Sequence, residues 1–141
     1  MPNFTLEPDN RSALSALLHD DKWIVACLCA AWCDVCKSYK PSFEQLATTH
    51  PDAHFLWIDI EDNADLVGDF DVENFPTLLI QRNNLVAFFG TVLPDTRIAE
   101  RLLMAQMEKS DAVLAAEASS TTEHQDWQHN YNLRSYLSQK D

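Results

Sequence analysis

Cys33 and Cys36 stand three residues apart, a spacing suited to a disulfide that opens and closes. Three steps along a helix separate the Cα atoms by roughly 5 Å, within the range a disulfide tolerates, so the bond can close without moving the backbone. At the opening of a helix, the unpaired N–H groups and the positive end of the dipole favour a thiolate at Cys33, the first and more exposed of the pair. That thiolate would attack a substrate disulfide and form a mixed disulfide. Cys36, one turn deeper, would then attack Cys33 and release the reduced substrate. Cys33 is therefore the expected nucleophile and Cys36 the expected resolving residue. Half of a zinc site has the same spacing, so the two cysteines alone leave metal binding open.

The remaining two cysteines, Cys27 and Cys29, are two apart in an apolar run. On a strand they face the same way, with Cα atoms roughly 6.6 Å apart and near-parallel side chains, a poor disulfide geometry. They are expected to be buried free thiols. A sharper role would have Cys27, lying beneath the pair, exchange with Cys36. A zinc or iron-sulfur site made from all four cysteines is disfavoured, because strand and helix-start residues would have to converge on one point. His19, His50, His54, His124 and His129 are scattered and are expected to be structural or solvent-facing. With only Gly68 and Gly90 in the chain, no Gly-rich turn follows any strand to cradle a phosphate.

The elements that must position these residues can be read from hydrophobic periodicity. Trp23 to Cys29 is a continuous apolar run, as expected of a central strand covered on both faces, and a helical pattern from Asp34 to Thr49 follows it directly. Pro41 interrupts that pattern and should kink it. Upstream, Asp9 or Asn10 can cap a helix over 11–20. Downstream come a second apolar strand from His54 to Ile60, a short helix from Asn63 to Phe70 and a turn at Asn74-Phe75-Pro76. Thr77 to Gln81 and Leu85 to Phe89 read as strands joined by Arg82-Asn83-Asn84, a hairpin by its turn chemistry. A last helix is expected from about Asp95 to about Ala116. The order βαβ then ββα gives an α/β domain, one mixed sheet with helices on both faces.

At 141 residues with 46% apolar content the chain can build one core but is short for two. The main domain is expected over residues 1–108, with 109–141 as a C-terminal extension of helical character. Ser119 to Thr122 followed by Glu123 is a helix-starting signal, and Trp127 and Tyr131 favour docking of the extension over leaving it in water. The formal charge of −12 repels phosphate backbones and anionic lipid, so nucleic acid and membrane partners are not expected. Seven carboxylates (Asp59, Glu61, Asp62, Asp65, Asp69, Asp71, Glu73) fall between Asp59 and Glu73 without one Lys or Arg, a solvated face or a patch that steers a basic partner. The first twenty residues carry no basic leader followed by an apolar stretch, so a cytoplasmic setting is expected. There, four crowded cysteines point to chemistry rather than to a structural disulfide framework.

Trp32-Cys33-Asp34-Val35-Cys36-Lys37 resembles the Trp-Cys-Gly-Pro-Cys-Lys signature of the thioredoxin family, and the likeness extends over roughly Phe4 to Met107. Pro41 stands where that family's active-site helix is kinked, Phe75-Pro76-Thr77 is similar to its cis-proline turn, and Gly90 falls on its last-strand glycine. The resemblance implies a thioredoxin fold. It also implies that Pro76 is cis, that the Phe75 backbone offers strand-like hydrogen bonds to an extended substrate, and that Trp32 shields one side of the thiols.

Two departures from the family pattern concern thiol acidity. The buried carboxylate that assists the resolving thiol lies six residues before the first cysteine in that family, and here the position is Cys27. The lysine that accompanies it is replaced by Trp57, so the pocket is expected to be drier and Cys36 slower. Asp34 is the other modulating position. Its charge, roughly 6 Å from the Cys33 sulfur, should offset the ~0.3 to 1 kcal/mol supplied by the helix dipole and leave a disulfide that is hard to reduce.

The resulting expectation is dithiol-disulfide exchange on protein or peptide disulfides, with no bound cofactor or metal, recharged by an upstream thiol reductant. The rival expectation is a binding or chaperone-type adaptor that keeps the fold and works through the acidic face or the C-terminal tail.

Overall fold

The computed structural model describes residues 3–20, 22–68, 70, 72 and 74–139. Five strands form one sheet: β1 (Asn3–Thr5), β2 (Trp23–Cys29), β3 (Ala53–Asp59), β4 (Thr77–Arg82) and β5 (Leu85–Thr91). Their order is β1-β3-β2-β4-β5. The first three run parallel, and β4 and β5 are antiparallel to their neighbours. The sheet is therefore mixed, as the element order predicts.

Side chains along β2 alternate between the two faces of the sheet, as a pleated strand requires. Trp23, Val25, Cys27 and Cys29 join one core cluster, and Ile24, Ala26 and Leu28 join the other. Every residue of β2 is buried, which is why its sequence reads as an unbroken apolar run. The first core lies under α2 (Asp34–Thr48) and α4 (Thr96–Met107), and the second under α1 (Arg11–Leu17) and α3 (Ala64–Val67). All four cysteines belong to the α2 side, with Cys33 half-buried at its margin.

Helix α2 runs unbroken through Pro41. In α1, Asn10 occupies the N-cap but its side chain makes no capping bond. It accepts from the Glu7 N–H and donates to the Thr5 carbonyl, tying the turn back to β1. The β4–β5 hairpin turns at Asn83, whose φ of 53° is a left-handed conformation that Asn tolerates better than most residues.

Three findings revise the sequence reading. Strand β1 was not anticipated, because three residues are too few to show an alternation. The helix expected over 95–116 is two: α4 ends at Met107 and α5 (Asp111–Ala118) begins anew, because the Ser110 side chain accepts from the Val113 N–H and caps the second helix. The helix expected over Asn63 to Phe70 is only the four residues of α3.

Residues 109–139 fold onto the domain. Besides α5 they form α6 (Thr122–Asn130) and α7 (Leu133–Gln139). Leu114 completes the α2-side core, while Leu133 and Leu137 are fully buried in the other core. Tyr131 stacks on Phe89 with ring centroids 3.7 Å apart, and Trp127 meets Phe88 edge-on at 6.0 Å.

Candidate active site

Cys33 is the N-cap of α2, with extended backbone at φ −87° and ψ 120°. Its amide donates to the Ala30 carbonyl and its own carbonyl accepts from Lys37. Its side chain caps nothing, so a half-exposed sulfur stands at the positive end of a fifteen-residue helix. Cys36 lies in the first turn behind it and is 2% exposed. The helix start thus presents one accessible and one shielded sulfur, as the spacing requires.

The disulfide in the structure is Cys29–Cys36, with Cα atoms 5.8 Å apart, and Cys33 is a free thiol. This corrects the expectation that Cys29 is a free thiol like Cys27, and it leaves Cys33 and Cys36 unbonded to one another in this structure. Cys29 is the last residue of β2 and faces the side on which α2 packs, so its sulfur meets the inward-facing residue of the helix's first turn. Strand end and helix start do converge, contrary to expectation, and a covalent bond results. Among the described residues, no group of three or more His, Cys, Asp or Glu side chains is arranged to hold a metal ion.

Cys27 lies deeper, with its sulfur 3.9 Å from that of Cys29. Burial pushes its thiol well above the usual cysteine range, so it remains protonated and offers no base. Trp57 pairs with Cys27 across β2 and β3, and the Lys40 ammonium sits 5.8 Å above its ring. A cavity of about 320 Å³ is lined by Cys36, Trp57, Lys37, Lys40, Asp59 and Asp62, among others. Asp59 pairs with Cys29 across the strands. Sequence reasoning missed Cys29, Lys40 and Asp59 as site residues. The signal for Asp59 was its place two residues beyond Trp57, on the same face of β3.

Trp32 is 62% exposed. Its indole N–H donates to Glu61 at 2.8 Å, and its ring meets Phe75 edge-on at 5.6 Å. The Phe75–Pro76 peptide bond is cis. Phe75 and Cys33 pack against the same core cluster, and Pro76 is buried. Asp34 points into solvent with its side chain 98% exposed, 3.8 Å from Lys37. In that position water and a neighbouring cation screen its charge.

On the other flank of α2, a cleft of about 570 Å³ runs between Asp34, Val35 and Ser38 and the segment from Pro94 to Arg97. Val35 and Leu93 are exposed beside it. Of the acidic stretch, Glu61 holds Trp32 and Asp65 forms a bidentate pair with the buried Arg11; Asp69, Asp71 and Glu73 lie outside the described residues. Among the histidines, His50 meets Glu100 at 2.7 Å and His54 meets Asp20 at 2.8 Å, which are structural contacts.

Comparison with known proteins is consistent with this geometry. The family model for thioredoxin matches residues 6–103. The chain is 35% identical to thioredoxin-1 of Caenorhabditis elegans over 65 residues, covering 46% of this chain and 56% of that protein. It is 38% identical to a thioredoxin of Ophiophagus hannah over 63 residues, covering 45% and 60%. The chain thus spans somewhat over half the length of these relatives. Among solved structures, a poplar thioredoxin h superposes with a TM-score of 0.67 at 20% identity, covering 78% of this chain and all of that one.

Proposed function

Because the chain belongs to the thioredoxin family, we propose that it is a thiol-disulfide oxidoreductase acting on protein or peptide disulfides, with Cys33 as the entry nucleophile and Cys36 as the resolving thiol. The observation that carries this reading is the helix start, with an accessible free sulfur at the N-cap and a shielded one in the first turn. The Cys33 thiolate attacks one sulfur of the substrate disulfide, and the other sulfur leaves as a thiolate. Cys36, once free, attacks Cys33, forms the intramolecular bond and expels the second substrate thiolate. Two electrons pass from the chain to the substrate, and an upstream dithiol returns them.

A polypeptide substrate is supported by what surrounds Cys33. Trp32, Val35 and Leu93 are exposed apolar side chains, and the cis bond at Pro76 adjoins Phe75, which carries the Trp32 ring. An extended segment lying over Phe75 would meet apolar surface on either side of the sulfur. A cytosolic setting fits a half-exposed free thiol; among the described residues, no helix is long and apolar enough to cross a membrane.

Reduction of insulin disulfides with dithiothreitol as electron source tests the proposal. The wild-type chain is expected to accelerate precipitation of the insulin B chain, and Cys33→Ser to fall to the uncatalysed background. Equal turnover by the two proteins would reject Cys33 as nucleophile.

A further inference from the structure

We propose that Cys29 is a third redox-active cysteine, which takes the disulfide over from Cys33 and holds it as the buried Cys29–Cys36 bond. This rests on the exchange reaction assigned to Cys33 and Cys36. Cys36 is the pivot. Its helical turn places Cys33 roughly 5 Å away in Cα terms, and β2 places Cys29 at 5.8 Å, both inside the range a disulfide accepts. The two candidate partners differ in exposure: Cys29 is 0% exposed, whereas Cys33 is half-buried at the surface.

After Cys36 has resolved a mixed disulfide, the chain holds a Cys33–Cys36 bond. The Cys29 thiolate attacks the Cys36 sulfur, the Cys29–Cys36 bond forms, and the Cys33–Cys36 bond breaks with Cys33 leaving as a thiolate. The proton given up by Cys29 ends on Cys33. The step is an isomerisation: one bond forms, one breaks, and no electrons enter or leave. Cys27, 3.9 Å from the Cys29 sulfur and held protonated by burial, stays a spectator.

Two consequences follow from the exposures. The oxidised chain keeps a free thiol at the mouth of its site, and its disulfide joins sulfurs that a bulky reductant cannot reach directly. Re-reduction then begins with Cys33 attacking Cys36, the reverse of the storage step.

The full-length chain, oxidised with oxidised glutathione, provides the test. Free thiols are blocked with N-ethylmaleimide under denaturing acidic conditions, the disulfide is reduced and labelled with iodoacetamide, and each cysteine's label is read by mass spectrometry. The expected pattern is iodoacetamide on Cys29 and Cys36, with maleimide on Cys27 and Cys33. Iodoacetamide on Cys33 and Cys36 with maleimide on Cys29 would overturn the proposal. Oxidised Cys33→Ser is expected to lose two hydrogens as an intramolecular disulfide and to resist reduction by a protein dithiol; three free thiols in that variant would also overturn it. Insulin reduction by the wild-type chain is read in parallel, and its absence counts against the exchange reaction rather than against the mapped bond.

Discussion

Beside Cys29, the disulfide partner of Cys36, the chain carries the buried thiol of Cys27. Burial raises its proton affinity far enough that it holds no charge at neutral pH. Cys36 instead lines a cavity that Lys40 and Asp59 also line. The buried thiol has a measurable cost in base. Above about pH 9, the ordinary value for cysteine, the unfolded thiol ionises while the folded one keeps its proton. The native state then binds more protons than the unfolded state, and stability falls as pH rises. Tyr39, raised chiefly by burial and then by Cys27 and Asp95, acts with the same sign above pH 10. Urea unfolding at pH 7 and pH 10 should show a smaller alkaline loss for Cys27→Ala than for wild type, and equal losses would reject burial of this thiol as a source of alkaline instability. At this scale, the roles proposed for Cys33 and Cys36 can be read from their spacing alone. The role of Cys29 cannot, because its bond depends on how closely the end of β2 approaches the start of α2, and periodicity carries no such distance.

The elements owe their placement to a few buried polar groups as well as to apolar faces. Gln81, fully buried on β4, accepts the Leu133 N–H at 2.8 Å and donates to Asn132 and to the Asn83 carbonyl. It thereby satisfies an amide at the start of α7 that would otherwise be buried unpaired. Gln128 of α6 accepts the Val86 N–H and donates to the Val86 carbonyl, closing part of the β5 edge that would otherwise be open to another strand. Gln81→Leu should lower unfolding free energy by ~1 to 3 kcal/mol, the cost of stranding a buried amide, and Gln81→Glu should lower it as well, because a buried carboxylate oxygen would face the two acceptors to which the Gln81 amide now donates. Chemical denaturation measures both, and a neutral Gln81→Leu would show that the Leu133 amide finds another partner. Apolar runs made β2 and β3 legible, and the turn chemistry of Arg82-Asn83-Asn84 made the β4–β5 hairpin legible. The break between α4 and α5 was hidden because the residues around it keep a helical rhythm, and a single capping hydroxyl at Ser110 decides the boundary.

At the scale of the whole molecule, the sheet divides two cores, and the C-terminal helices finish both. Leu114 closes the side that holds the cysteines; Leu133 and Leu137 close the other, where Phe70 meets Tyr131 and Tyr136 edge-on at 5.1 Å. An adaptor working through the apolar residues of this tail would have to expose side chains that the fold itself consumes. The tail therefore contributes to stability, and its α7 contribution should be separable from the sulfur chemistry, because Leu137 and the cysteines lie on opposite faces of the sheet. Replacing a fully buried leucine removes its transfer free energy and leaves a cavity, ~2 to 5 kcal/mol together. Leu137→Ala should lose stability within that range in urea. Well below its midpoint, it should still reduce insulin at the wild-type rate per folded molecule. A loss under ~1 kcal/mol, the effect of a substitution outside a packed core, would mean that α7 is not packed as described. An undiminished midpoint combined with slowed reduction would mean that the tail acts on the site and not on the core.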